Sequence, residues 1–251
     1  MGIITDTAQP IGTALPSAST PIANDASMLR LLQLSSATLP VGGYAFSHGL
    51  EWALEAEWLA TSDDVIEWLS VQLTESVATL DLPILHRQCL ALEQQDIPAL
   101  IKWNSTVLAC RESYELRLTD TALADAMIRL LQGLSIEGDL LKTLNEQYEK
   151  PHNISYVTAF AIAATHWRIS PHYAALGYAW AWLENQVAAA TKLTLFGQLS
   201  AQKAIDALMP VVEQAVNQSL LITDDAIGTS LPGLAMASSH HETQYSRLFR
   251  S

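Results

Sequence analysis

The sequence predicts an all-α protein, most simply a single-domain bundle of about ten helices. A disordered leader is expected over residues 1–26, the all-α body over 27–225 and a C-terminal tail over 226–251. Three observations carry that expectation. Apolar residues recur at spacings of three and four through most of the chain, and no stretch shows the sustained alternation of a strand. Capping residues followed by acids or proline recur where such periods begin. The third is the stretch AWAWLENQVAAATKLTLFGQ (179–198), which as a helix is apolar or small on almost every side. A helix of that kind belongs in a protein interior or a membrane. Its Glu184, Asn185, Gln186 and Lys192 argue for the centre of a large helical core. They also raise a question, because each buried polar group needs a partner.

In chain order, residues 1–26 are rich in Thr, Ser, Ala and Pro and have no period. Ser27 is expected to cap a short helix through Leu29, Leu31, Leu32 and Leu34, which Leu39-Pro40-Val41-Gly42-Gly43 ends. Ser47 is expected to cap a helix carrying Leu50, Leu54 and Trp58. Thr61-Ser62-Asp63-Asp64 joins capping side chains to acids that favour the positive end of the helix dipole. Val65, Ile66, Leu69, Leu73 and Val77 form the stripe of that helix. Asp81-Leu82-Pro83 and Asp96-Ile97-Pro98 each place a cap before a first-turn proline, opening helices over about 82–94 and 97–118. Thr119-Asp120 offers a restart that continues to Gly133. A short helix is expected over 138–148, and another after Ser155 through His166. Ser170-Pro171 opens the long central helix, on which Leu176, Trp180, Leu183, Val187 and Ala190 form a seam and Gly177, Ala181 and Ala188 a small-residue face. Gly197 is expected to close it, Ser200 to cap the next helix and Pro210 to bend or divide that one. After Thr223-Asp224-Asp225 the pattern fades into the polar tail SSHHETQYSRLFRS.

The 251 residues suffice to bury a core without staples. Thirteen Lys and Arg against 26 Asp and Glu give a net charge of −13. Phosphate neutralisation needs cationic side chains, so nucleic acid is a poor partner and a basic protein a better one. The two cysteines, Cys89 and Cys110, fit neither a redox motif nor a disulfide framework. With no signal-peptide pattern and no long apolar span, a cytoplasmic protein that does not cross a membrane is expected.

Candidate chemistry is sparse. Ala45-Phe46-Ser47-His48-Gly49 has the outline of a nucleophile elbow, which needs a strand before the serine. Helix and loop precede it here, so Ser47 reads better as a cap. His241-Glu242 begins a zincin motif, but Tyr245 stands where the second histidine belongs. Glu149-Lys150-Pro151-His152 is a lone Glu-x-x-His broken by proline, whereas a di-metal bundle uses two such pairs. A helical hydrolase or metal-dependent enzyme using Ser47/His48 or His241/Glu242 is the alternative this leaves. No phosphate-binding glycine motif occurs. Arg111-Glu112-Ser113-Tyr114-Glu115-Leu116-Arg117 reads as a charged helix face with an Arg111–Glu115 pair. Lys192 reads as a lysine near a helix end, with recognition at the rim of a groove as the functional alternative. In the tail, Tyr245, Leu248 and Phe249 stand beside Arg247 and Arg250, types favoured as interface anchors.

Four blocks in order, LLQLSSATLPVGGYAFSHGLEWALE (31–55), RESYELR (111–117), AWAWLENQVAAATKLTLFGQ (179–198) and HETQYSRLFRS (241–251), resemble the UreF-type urease accessory proteins. The resemblance runs from about residue 28 to the end and leaves out the leader. It departs locally at Ala45, Phe46 and His48, where the family more often has a Ser-Tyr/Phe-Ser-Gln-like run, and at Thr119-Asp120. The resemblance implies an all-α, non-catalytic homodimer without a cofactor of its own. It implies an adaptor between a UreD/UreH-type accessory protein and a UreG-type GTPase that matures the nickel centre of the urease apoprotein. Nickel and GTP are then handled by those partners. The partner-binding residues it implies are Tyr44, Lys192, Gln244, Tyr245, Arg247, Leu248 and Phe249. The tail, ordered on partner binding, and the Tyr44 loop would meet the UreD-type partner. Lys192 would face the GTPase or a dimer groove.

Overall fold

A computed structural model describes residues 24–134, 136, 153–228 and 230–250, and every regular element among them is helical. The short helix expected over 138–148 and the Glu-x-x-His at 149–152 lie outside the described residues.

Helix α1 (Asp25–Leu34) begins inside the stretch expected as leader. Its cap is Asn24, whose side chain accepts the Ser27 N–H at 2.9 Å, while the Ser27 hydroxyl donates to the Trp167 carbonyl at 3.1 Å. A 3-10 turn (Gly43–Ala45) leads to α2 (Leu50–Glu55), capped by Gly49 rather than Ser47. Gly49 has φ 77°, and a Cβ there would also stand 3.0 Å from Ala237 Cβ, so both backbone angle and space demand glycine. Helix α3 (Ser62–Gln72) starts as expected at Thr61, which with Asp64 forms a capping box.

The helix expected over 82–94 has those bounds, but Asp81 does not cap it. The chain runs from α3 through a π-helical segment (Leu73–Asp81) into α4 (Leu82–Gln94) without a break. Pro83 lies within this rod and has no N–H to give the Thr79 carbonyl, four residues earlier. The Gly228 N–H supplies that bond from a distant loop, at 3.1 Å. Asp81 is thereby released from capping and its carboxylate turns inward.

Asp96 does cap α5 (Ile97–Ala109), accepting the Ala99 N–H at 3.0 Å. That helix stops well short of 118. Ser113 caps a separate helix, α6 (Tyr114–Gly133), in which Thr119-Asp120 is interior. Arg111 therefore sits between helices, and the expected Arg111–Glu115 pair on one helix face does not form. Helix α7 (Tyr156–His166) starts at Ser155 as expected.

The central helix α8 (Pro171–Lys192) ends at Lys192, before Gly197, and Thr194 turns the chain at φ 65°. Gly197 caps α9 (Gln198–Ser219), in place of Ser200, and Pro210 neither divides nor ends that helix. A second 3-10 turn (Asp224–Ala226) precedes α10 (Pro232–His241), where the sequence pattern had faded. Ala235, Ala237, Ser238 and Ser239 give α10 small residues on several sides, so it carries little periodic contrast.

Helix α8 packs against α9, α4, α1 and α7. Leu183, Val187 and Ala190 are buried, whereas Leu176 and Trp180 are half-buried. Gly177 lies where α1 approaches: an added Cβ would meet Leu31 Cδ1 at 2.5 Å and Ser35 Oγ at 2.6 Å. Ala188 is exposed and takes no part in that approach. The polar residues of α8 have separate answers. Asn185 donates to the Ala181 carbonyl at 2.9 Å and crowds Gly43. Burial pushes the Glu184 carboxyl up, against a hydrogen bond from the Ala37 backbone. Gln186 is buried, and its Oε1 has no hydrogen-bond partner among the described residues.

Candidate partner-binding site

The site is assembled where the end of the chain returns across α2 and α6. Ser113 at the start of α6 and Ser238 on α10 share a hydrogen bond of 2.7 Å, which seats α10 against the body. His241 ends α10 fully buried between two carboxylates. Its Nδ1 lies 2.8 Å from Glu115 Oε2 and its Nε2 3.1 Å from Glu51 Oε2. Beyond it, Gln244 donates to Glu55 and to the Ser246 carbonyl. Arg247 reaches Glu115 Oε1 at 3.0 Å. The backbone N–H groups of Leu248 and Phe249 donate to Glu51 at 2.6 and 2.9 Å. Arg250 N–H then donates to the Ala45 carbonyl at 2.8 Å, joining the segment to the Gly43–Ala45 turn.

The side chains along this strap divide by direction. Phe249 is buried, a burial that contributes about 1.5–3 kcal/mol. Lys192, at the end of α8, stands 4.2 Å from the centre of its ring. Tyr245 is fully exposed, Leu248 is 53% exposed and Tyr44 is 69% exposed. Tyr44, Lys192 and residues 244–249, far apart in sequence, are thus parts of one locality. Phe249 differs from the others because it faces inward, holding the strap to the body. Tyr44, Tyr245 and Leu248 are the ones turned to solvent.

A second charged cluster lies inside the body. Arg111 bonds Asp81 Oδ1 at 2.5 Å and Asp120 Oδ2 at 3.0 Å, and all three side chains are buried or nearly so. Tyr178 on α8 donates its hydroxyl to Asp81 at 3.1 Å, and the Tyr156 N–H donates to Asp120 at 2.7 Å. Burial works against the guanidinium charge, but Asp81 and then Asp120 hold its proton beyond the ordinary arginine range. Burial pushes the Asp120 carboxyl up while Arg111 pulls it down. The neighbouring His48 is pushed down to about 4 by burial and then by the Arg111 charge, against Asp81. A cavity of about 90 Å³ adjoins the cluster, lined by Gly43, His48, Arg111, Asp120, Tyr178 and Gln186 among others.

The enzyme alternative meets a different geometry. Ser47 is buried and its hydroxyl has no hydrogen-bond partner among the described residues, so no base activates it there. His241 is spent on Glu51 and Glu115, and Glu242 accepts the Glu115 N–H at 3.3 Å. No group of three or more His, Cys, Asp or Glu side chains among the described residues is placed to hold a metal ion.

Sequence reasoning singled out the exposed residues and the tail but missed Glu51, Asp81 and Asp120. Their one signal is an acid in the middle of an apolar helical run, as in GLEWALE and TLDLPIL.

The family model described as UreF matches residues 59–209. A protein named urease accessory protein UreF from Marinomonas sp. (strain MWYL1) is 48% identical over 230 residues, covering 92% of this chain and 96% of that one. Proteins of the same name from Alkalilimnicola ehrlichii and Hahella chejuensis are 42% and 39% identical, covering 88% and 89% of this chain and 95% and 98% of theirs. The chain belongs to the UreF family. Within that family member, no helix among the described residues is long and apolar enough to cross a membrane.

Proposed function

We propose that this UreF-family chain is a non-catalytic adaptor in urease maturation. It acts as a cytoplasmic homodimer, holding a UreD/UreH-type accessory protein and a UreG-type GTPase while the urease apoprotein receives nickel. The name shared by its relatives supports the urease role. The observation that carries the adaptor reading is the strap: a buried ionic and aromatic underside fixes it, leaving Tyr245, Leu248 and the nearby Tyr44 outward. Exposed aromatic and apolar side chains on a rigid support are what a protein interface uses as anchors. We assign that face to the UreD/UreH-type partner and Lys192 to the GTPase side. The net charge of −13 supports partners with basic faces.

Co-purification of the three accessory proteins tests this. Tyr245→Ala with Leu248→Ala should abolish recovery of the UreD/UreH-type protein while leaving the helical circular-dichroism signal unchanged, since neither side chain is buried. Undiminished recovery would remove the strap from the interface.

A further inference from the structure

The strap is tied down by a cluster whose geometry dictates its proton count. Both ring nitrogens of the wholly buried His241 face carboxylate oxygens, of Glu51 on α2 and Glu115 on α6. An ionised carboxylate only accepts hydrogen bonds, and a neutral imidazole has one N–H and one lone pair. A neutral ring would therefore set a lone pair against a lone pair at one of the two contacts. An imidazolium donates at both.

The rest of the cluster agrees. Leu248 and Phe249 N–H groups occupy Glu51, and the Arg247 guanidinium occupies Glu115 Oε1. Two carboxylates, one imidazolium and one guanidinium sum to zero charge. Without the imidazolium proton a net negative charge remains around a wholly buried ring and two nearly buried carboxylates, which is costly in a medium of low dielectric. The surroundings do not compensate. Glu242 on the strap and Glu55 on α2 are both acids, and His240 is stacked on Trp52. Lys192 of α8 lies over the Phe249 ring and makes no ion pair with Glu51 or Glu115 among the described residues.

Every bond of the cluster also crosses one boundary. His241, Arg247, Leu248 and Phe249 belong to the C-terminal segment, and Glu51 and Glu115 belong to the body. The proton therefore sits at a joint between two parts of the chain.

We propose that His241 is a proton-operated latch, its imidazolium pinning residues 241–250 to α2 and α6 and its deprotonation releasing them together with the Tyr245–Leu248 surface. Imidazole titrates nearest neutrality of all side chains, so the latch answers to pH changes that leave arginine charged. Burial pushes the Glu115 carboxyl up, with His241 and Arg247 opposing, so acid eventually protonates Glu115 and loosens the same contact from below. The latch thus holds in a window of pH. It belongs to the chain alone and is tested without any partner.

Hydrogen exchange of the full chain, followed by mass spectrometry from about pH 6 to about pH 9, reads it directly. Each rate is divided by the intrinsic rate for an unstructured peptide at that pH. Protection of the peptide covering 244–250 should fall with rising pH, by at most about tenfold per pH unit, the limit for one linked proton. Peptides from α8 should hold their protection. A flat profile for 244–250 overturns the latch. In Glu115→Gln the amide can donate to a neutral Nδ1, so the dependence should vanish; its persistence would place the proton elsewhere. Imidazole ¹⁵N spectra of the unaltered chain give an independent reading. Both His241 nitrogens should carry hydrogen while the strap is protected, and one bare nitrogen on a protected strap would overturn the proposal.

Discussion

The two buried charge clusters use the same materials to different ends. In the inner one, Asp81, Arg111 and Asp120 join the end of the π segment, the link between α5 and α6, and α6 itself, with Tyr178 adding α8. In the outer one, Glu51, Glu115, His241 and Arg247 join the end of the chain to the body. The inner cation is arginine, which keeps its charge at any pH the protein meets. The outer cluster contains histidine, which does not. Exposure differs as well: the Arg111 side chain is 15% exposed and that of Arg247 40%. A permanent ion fixes the frame, whereas a titratable one, buried beside a half-exposed arginine, leaves its attachment adjustable. The two histidines repeat the contrast, His48 held neutral beside Arg111 and His241 placed between two acids.

The largest test of that difference is Arg111→Met. It leaves Asp81 and Asp120 buried with no cation between them, and breaking a buried ion pair from one side costs about 3–5 kcal/mol. Urea unfolding followed by circular dichroism should show a global loss of that size. A loss below about 1 kcal/mol would mean that the cluster is hydrated and behaves like a surface pair.

A smaller effect separates the histidines. With its folded-state value pushed down to about 4, His48 stays neutral in the native protein while the unfolded chain takes up a proton near its ordinary value of 6.5. The unfolded state then binds more protons, so stability falls as pH drops from about 6.5 towards about 4 and the contribution levels off below. His48→Asn removes this titration, and asparagine tolerates the local φ of 51°. The variant should lose about 1–3 kcal/mol less than the unaltered protein across that interval in pH-dependent denaturant melts. Parallel curves would show that His48 is not held neutral.

What the sequence makes legible follows the range of the interaction. The caps at Thr61, Asp96 and Ser155 are each complete within four residues, and helices start at all three as expected. Ser27 and Ser47 look like equally good caps locally, yet a distant carbonyl claims one and a buried turn the other. Asp81 looks locally like a cap, yet its carboxylate goes to Arg111 and Tyr178 instead. Both charge clusters join segments that no local period connects. Helix α10 escaped because small residues leave no apolar stripe to detect. Tyr44, Lys192 and Tyr245 were singled out through family resemblance, and the structure leaves them exposed. Glu51, Glu115 and His241 beneath them lie in the same blocks, but nothing local pairs residues so far apart in the chain.

Lys192 gives the smallest expected effect and the sharpest division between support and recognition. Its ammonium stands over the Phe249 ring, and a cation–π contact of this exposed kind contributes about 0.5–1 kcal/mol. Phe249 keeps its burial and its N–H bond to Glu51 without that contact. Lys192→Ala should therefore leave global stability nearly unchanged and exchange protection of the strap reduced by less than about tenfold. If Lys192 also meets the GTPase, recruitment of that partner should fall while recovery of the UreD/UreH-type protein is retained. Loss of both partners together with an unprotected strap would assign the lysine to the support of Phe249 instead.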